Sequence, residues 1–382
     1  MTRRLHILFF AVTVAYAAAF AAMLFAHVWL WQAGGRLAVF DFVDVYAAGK
    51  LALAAHPAGI YDWTTHKVAE GLALGHAITW REYLGWHYPP PFLFLAVALA
   101  TLPYLAAFFL WNAITLPAYL FVMRRIAGHR DAWLAAAAFP ATFLNILIGQ
   151  NGFLSAALIG GALATLETSP ILSGVLVGLL TYKPQLGILF PFALAAGGYW
   201  RTFAAAVVTA AAMALASILV FGSETWIAFF HSIPVTTDAV LLRGLQGWGK
   251  FNSPFGLCRW LGLGFDAAAA VQITVAVAMI AAVVALWRSE ASLNLKAAGL
   301  AAASLLVTPY LYVYDLPILA VALAFLFRAA PFDRVEYACA AVAVVAIFLF
   351  PVLVVPTGVA AVVSVAFVVA RRAVLTRAQA QA

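Results

Sequence analysis

The sequence predicts an all-α polytopic membrane protein, and three observations predict it. The 382 residues are 66% hydrophobic and 9% charged, with a mean hydropathy of +1.02, whereas a soluble domain is apolar to roughly 45–50%. The apolar runs, Phe203 to Phe221 among them, are apolar on every side. That suits spanning helices and not the polar–apolar alternation of a membrane barrel. The basic residues recur at the ends of those runs, on one side of the implied bilayer.

The first apolar run, Ile7 to Trp31, is too long for the core of a cleaved signal and is expected to span. Arg3 and Arg4 before it place the N-terminus in the cytoplasm. A long polar loop over about 32–89 follows and runs into Tyr88-Pro89-Pro90-Pro91. The apolar stretch from there to Arg124-Arg125 contains Pro103 and Pro117 and exceeds one straight span. It reads either as one kinked helix or as a short re-entrant piece plus a helix. Further segments are expected at about 131–148, 152–166, 171–182, 185–199 and 202–221, then a second outer loop at about 222–265. The last set is 266–287, 296–309, 311–328, 335–350 and 356–371, giving about 12 crossings in a single integral domain, 1–382. The segments near Lys183 and Pro309 are short and read as broken helices lining a cavity. In this topology Arg3, Arg4, Arg124, Arg125, Arg130, Arg201, Arg288, Lys296, Arg328, Arg334, Arg371 and Arg372 all face the cytoplasm.

The formal charge of +7 is assigned to contact with acidic lipid, not to nucleic acid. Cys258 and Cys339 lack metal-site spacing and read as unpaired. The unusual polar residues collect on the outer side. Asp41 and Asp44 follow the first span three residues apart, on one face if that segment is helical. Carboxylates so close to the membrane are costly and point to a site.

The order of motifs resembles glycosyltransferase family 87. It runs Asp41-Phe42-x-x-x-Tyr46, Ile60-Tyr61-Asp62, Tyr88-Pro89-Pro90, Gly149-Gln150-Asn151, Lys183-Pro184, then Thr308-Pro309-Tyr310 with Tyr314-Asp315. The resemblance rests on order and spacing over nearly the whole chain. It implies a C-type glycosyltransferase fold with its active site on the outer face. It also implies transfer of a hexose, mannose above all, from a polyprenyl-phosphate sugar to an extracytoplasmic acceptor. The essential aspartate of the family follows the first span and corresponds to Asp41. Where members often carry a His beside the late Pro-Tyr motif, this chain has Tyr314-Asp315.

The chemistry asks for matching groups. An inverting transfer needs a base for the acceptor hydroxyl. Asp41 takes that role, with Asp44 the neighbouring candidate. The competing readings are a helix N-cap for Asp41 and a solvated or orienting acid for Asp44. The lipid phosphate needs a cation. Lys183, interrupting an apolar run beside Pro184, is the foremost choice, against a lysine snorkelling to the interface. Arg243, Lys250 and Arg259 in the second loop are further phosphate candidates. Tyr46, Tyr88, Gln150, Asn151, Gln185, Tyr310, Tyr314 and Asp315 are candidate substrate contacts. A polar turn is the alternative for Gln150 and Asn151, the interfacial belt for the tyrosines, and a salt bridge to Lys183 for Asp315.

His56 and His87 read as structural, and Trp80, Trp86, Trp226 and Trp248 as belt anchors. Two carboxylates alone make a weak cation site, so no metal and no cofactor are expected. The expected partners are the lipid-linked donor, a glycolipid or glycan acceptor and the bilayer, in a bacterial cytoplasmic (inner) membrane. The competing functions are a transporter or flippase, which explains the intramembrane charges equally but not the one-sided gathering of polar residues, and an assembly subunit without chemistry.

Overall fold

The computed structural model describes residues 3–32, 35–38, 40–78 and 85–381. Trp80 lies outside them. Among the described residues the chain is helical, with one isolated β-bridge between Trp31 and Leu37 and no strand. The helices in order are α1 Arg3–Phe25, α2 Phe42–Leu53, α3 Trp63–Leu74, α4 Leu93–Ala100, α5 Tyr104–Ala127, α6 Ala132–Ala137, α7 Pro140–Ile148, α8 Gly152–Thr165 and α9 Pro170–Leu179. They continue as α10 Phe190–Ala196, α11 Trp200–Phe221, α12 Ser223–Thr236, α13 Pro254–Trp260, α14 Phe265–Trp287, α15 Leu293–Leu306, α16 Pro317–Ala329, α17 Arg334–Leu353 and α18 Gly358–Gln381.

Seven helical stretches among the described residues are long and apolar enough to cross a bilayer: α1, α5, α11, Ser223–Leu242, α14, α17 and Gly358–Thr376 of α18. Five shorter apolar stretches accompany them, and their breaks fall where the sequence supplies a breaker. The run after Tyr88 resolves as a short piece plus a helix. Pro90–Phe92 is a 3-10 turn leading into α4, the chain breaks at Thr101-Leu102-Pro103, and α5 carries Pro117 inside it. Pro140 divides the expected segment 131–148 into α6 and α7. The stretch expected as the second polar loop begins instead with an apolar helix, α12, prolonged by one π turn over Thr237–Leu242. Pro234 sits inside that helix and Glu224 in its first turn, which lowers its apolar signal without preventing helix formation.

The contacts cluster into two compact units. One holds residues 1–116, 145–150 and 210–246, the other 117–144, 151–209 and 247–382. No linker in the sequence marks that division.

In the first unit α2 is the buried element, with every residue from Phe42 to Gly49 buried. It packs on α3 and α4. A Cβ on Gly49 would lie 2.1 Å from the carbonyl oxygen of Ala96, so α2 and α4 meet backbone to backbone and only glycine allows it. Helix α1, by contrast, buries none of its residues, as a lipid-facing span should. The turn Pro57–Tyr61 packs on α12, with the Tyr61 ring edge-on to Phe229 at 5.7 Å.

In the second unit α15 is the central element. Its residues from Ala297 to Leu306 are all buried, nearly all of them small or leucine, and it packs on α14, α16 and α18. At the start of α17, Asp333 and Glu336 form a capping box. Glu336 also receives Arg372 Nε at 2.7 Å and Nη2 at 2.6 Å, and Arg371 Nη1 lies 2.6 Å from Asp333. Arg372 Nη1 donates to the Leu326 carbonyl at 2.6 Å, closing off the C-terminal end of α16.

Candidate active site

Asp41 stands at the N-cap position of α2, but its side chain makes no capping bond. Its Oδ2 instead accepts from Gln150 Nε2 at 3.2 Å. The capping alternative for Asp41 therefore describes its position and not its side chain.

Gln150 is aimed by the chain around it. Gly149 adopts φ +68°, turning the backbone out of α7, and a Cβ there would meet Phe108 at 2.6 Å and the Cβ of Phe42 at 2.9 Å. Only glycine combines that conformation with that approach. The next residue is thereby laid against the start of α2. Gln150 Oε1 accepts from the Tyr88 hydroxyl at 3.3 Å, and its backbone carbonyl accepts from Trp111 Nε1 at 3.3 Å. With a hydroxyl donor at Oε1, the amide must present its NH₂ to Asp41. Tyr88 is held in turn. Its carbonyl accepts from the Tyr61 hydroxyl at 2.9 Å, and its ring packs on Trp86 and Phe92 at 4.9 and 4.8 Å.

One turn along α2, Asp44 is 8% exposed and accepts from His66 Nε2 at 2.8 Å. Glu70 follows His66 by one turn on α3, and its Oε1 lies 3.9 Å from the same Nε2. One ligand-capable atom from each of Asp44, His66 and Glu70 lies within 4.8 Å of the others, and all three side chains are buried. Glu70 Oε1 and His66 Nδ1 are buried with no hydrogen-bond partner. Burial first, and then the charge of Asp44 more than that of Asp41, pushes the Glu70 carboxyl up to about 9 against the opposing pull of Lys67.

Asp62 sets the start of α3. Its Oδ1 accepts from the Thr65 backbone N–H at 2.8 Å and from the Thr65 hydroxyl at 2.7 Å, which holds its carboxyl below the usual range. The sequence reading missed His66 and Glu70. Both lie in a stretch taken as polar loop, and the available signal was a His-x-x-x-Glu pair at helical spacing behind an Asp-x-x-Thr cap. His87, exposed, sits with Nδ1 3.2 Å from the Thr236 hydroxyl, and His56 precedes the Pro57–Tyr61 turn without capping it. Tyr46 is a packing residue. Its hydroxyl donates to the Leu102 carbonyl at 2.7 Å and its ring meets Tyr104 edge-on. Arg243, also in this unit, pairs with Asp238 at 2.6 Å on the surface.

A second polar cluster lies in the second unit. Lys183 is 3% exposed and Asp315 0%. Nζ donates to Asp315 Oδ1 at 2.5 Å and to Asn151 Oδ1 at 3.1 Å, and sits 4.9 Å from the centre of the Tyr314 ring. The salt-bridge alternative for Asp315 is thus present in the structure. The pair exists because two breaks face each other: α9 ends in Leu180–Tyr182 before Pro184, and Val313–Asp315 forms a 3-10 turn before Pro317. Tyr312 and Tyr314 stack at 5.2 Å, and the Tyr312 backbone N–H donates to Asp315 Oδ2 at 3.4 Å. Gln185 is half-buried in the turn after Pro184, and the Tyr310 backbone N–H donates to the Thr308 hydroxyl at 3.1 Å. Arg259 stacks on Trp248 at 4.4 Å and donates to the Leu263 carbonyl, while Lys250 is half-buried at the end of the Trp248–Lys250 turn.

The sequence model of one family, described as Glycosyltransferase family 87, matches residues 86–309. No curated protein and no solved structure matches the chain.

Proposed function

The chain belongs to glycosyltransferase family 87, and from that premise we propose that this membrane-embedded glycosyltransferase moves a hexose, mannose first, from a polyprenyl-phosphate sugar to an extracytoplasmic glycolipid or glycan. The seven long and five shorter apolar helices among the described residues support a membrane-embedded bundle, which in this proposal is a C-type fold in a bacterial inner membrane. In the proposed reaction the acceptor hydroxyl oxygen attacks the anomeric carbon from the face opposite the donor phosphate. The bond from that carbon to the phosphate oxygen breaks, and both electrons leave with polyprenyl phosphate. The hydroxyl proton passes to Asp41, and the sugar emerges inverted.

The observation that carries this reading is the hold of Gln150 on Asp41. A neutral amide orients a carboxylate without adding a positive charge, so it fixes the base while lowering its basicity less than an arginine would. Asp44, one turn on, is the second candidate for the base.

For the leaving phosphate, Lys183 remains the proposed cation. An ammonium has three donors, and two go to Asp315 and Asn151. A phosphate oxygen would take the third, or displace Asp315. Arg243, Lys250 and Arg259 are the secondary proposals, and Tyr88, Asn151, Gln185, Tyr310, Tyr314 and Asp315 the proposed sugar and lipid contacts.

The test is transfer by purified, reconstituted protein offered a panel of radiolabelled polyprenyl-phosphate sugars and a membrane lipid extract. Transfer from one donor that Asp41→Asn abolishes is the expected result. Full activity in Asp41→Asn would move the base to Asp44 or Asp315. Absence of transfer from every donor, with gradient-dependent movement of substrate across the vesicle, would favour the transporter.

A further inference from the structure

We infer that Asp44, His66 and Glu70 form a binding site for one divalent first-row transition ion, of which Zn2+ and Mn2+ are the representative cases. His66 and Glu70 stand at i and i+4 on α3, so both side chains leave the same face. That face is turned to Asp44 of α2, and α2 and α3 pack on each other. The three ligand-capable atoms converge. His66 Nε2 lies 2.8 Å from Asp44 Oδ1 and 3.9 Å from Glu70 Oε1, and none of the three is farther than 4.8 Å from another. Ligands about 2.1 Å from a common ion stand roughly 3–3.5 Å apart, so closing the site needs a shift of about an ångström at Glu70.

The second observation is the state of Glu70 itself. It is 1% exposed and its Oε1 has no hydrogen-bond partner although it is aimed into the cluster. A buried carboxyl oxygen left without a donor is costly, and a cation between it and Asp44 removes that cost. One imidazole and two carboxylates make a donor set of mixed hardness. It suits Zn2+ or Mn2+ better than Mg2+, which favours oxygen donors and retains its waters. The inference is independent of Asp41 acting as base, since Asp41 contributes no ligand here.

The experiment uses full-length protein in detergent, stripped with a chelator and dialysed against Zn2+ or Mn2+ alone. Bound metal is counted by mass spectrometry, Mn2+ is also followed by its electron paramagnetic resonance, and melting is recorded with and without metal. Three variants are compared with the wild type: Glu70→Gln, which keeps the shape of a protonated glutamate, His66→Gln, and His129→Ala at an exposed histidine outside the cluster. The expected result is about one ion per chain in the wild type and in His129→Ala. Affinity should fall at least tenfold in Glu70→Gln, roughly the loss that even an outer-shell change brings. A metal-dependent rise in melting temperature should be absent from that variant, and a nitrogen hyperfine coupling on bound Mn2+ should vanish in His66→Gln. Wild-type protein that takes up no ion saturably, or Glu70→Gln protein that binds with unchanged affinity, would overturn the inference. Should His66→Gln fail to fold, Glu70→Gln decides the matter alone.

Discussion

Two of the polar clusters among the described residues, around Lys183 and around Asp44, are built on opposite plans. Around Lys183 one cation meets one anion, and the remaining neighbours of Nζ are an amide oxygen and an aromatic face. The cluster is neutral as a pair. Around Asp44 two carboxyl groups share one histidine, and an oxygen of Glu70 stays unsatisfied. Asp41, one turn earlier on the same element, is steered by an amide. The Lys183 cluster balances its charges internally. The other holds acid in excess, and an excess of buried acid needs a proton, a metal or a substrate to complete it. The comparison teaches that a charged residue in a membrane segment is not thereby reactive: what matters is whether its own chain already supplies its partner.

The sharpest break of that contrast is Asp41→Asn. It should lower transfer about 10²–10⁴-fold, the usual worth of a general base, while the melting temperature in detergent stays within a degree or two. A large loss of melting temperature alongside the activity would make Asp41 a structural residue.

Next is the lysine pair. Lys183→Met alone strands a buried carboxylate and should cost about 3–5 kcal/mol, with Lys183→Met/Asp315→Leu recovering most of it. Thermal unfolding of the two singles and the double measures the coupling. Donor binding by the recovered double mutant then separates a packing pair from a phosphate contact, because only the latter would lose affinity.

Gly149→Ala should destabilise by about 1–3 kcal/mol through its positive φ and the contacts with Phe42 and Phe108. Transfer should fall with it, since Gln150 would be displaced. Gln150→Ala removes the donor to Asp41 and the acceptor of the Tyr88 hydroxyl, at about 1–3 kcal/mol. If transfer by Gln150→Ala matched the wild type, the amide would have no part in aiming Asp41.

The smallest effect belongs to Asp62. Asp62→Ala should cost about 1 kcal/mol as a lost N-cap. Because the folded pKa is depressed, the charged cap stabilises at pH values above the ordinary carboxylate pKa of 3.8, and that contribution is lost as pH falls through the folded value. Melting curves of wild type and Asp62→Ala should therefore draw together in acid.

Reading the chain alone placed α8, α9, α11, α14, α15 and α17 to within about three residues, because apolar run length and proline position decide where a membrane helix can lie, and left α3, α12 and α13 in loop. Helix α15 was expected at 296–309 and occupies Leu293–Leu306; α17 was expected at 335–350 and occupies Arg334–Leu353. The segment 222–265 was read as loop because Glu224, Asp238, Arg243 and Lys250 dilute its apolar signal, yet α12 is helical there. The division into two units had no marker at all.

For the site, residue type and costly position made Asp41, Asp44, Lys183 and Asp315 conspicuous in the sequence, since charge is rare here and expensive. Which of them touch was decided only in three dimensions. Lys183 and Asp315 are 132 residues apart and meet at 2.5 Å. Asp41 and Gln150, 109 apart, meet because Gly149 turns the chain against Phe42. His66 and Glu70 looked like ordinary loop residues until α3 packed on α2 and turned both toward Asp44. Hydrophobicity is additive along a chain and can be summed from composition. Partner choice depends on packing distances between remote segments, which no local stretch of sequence carries.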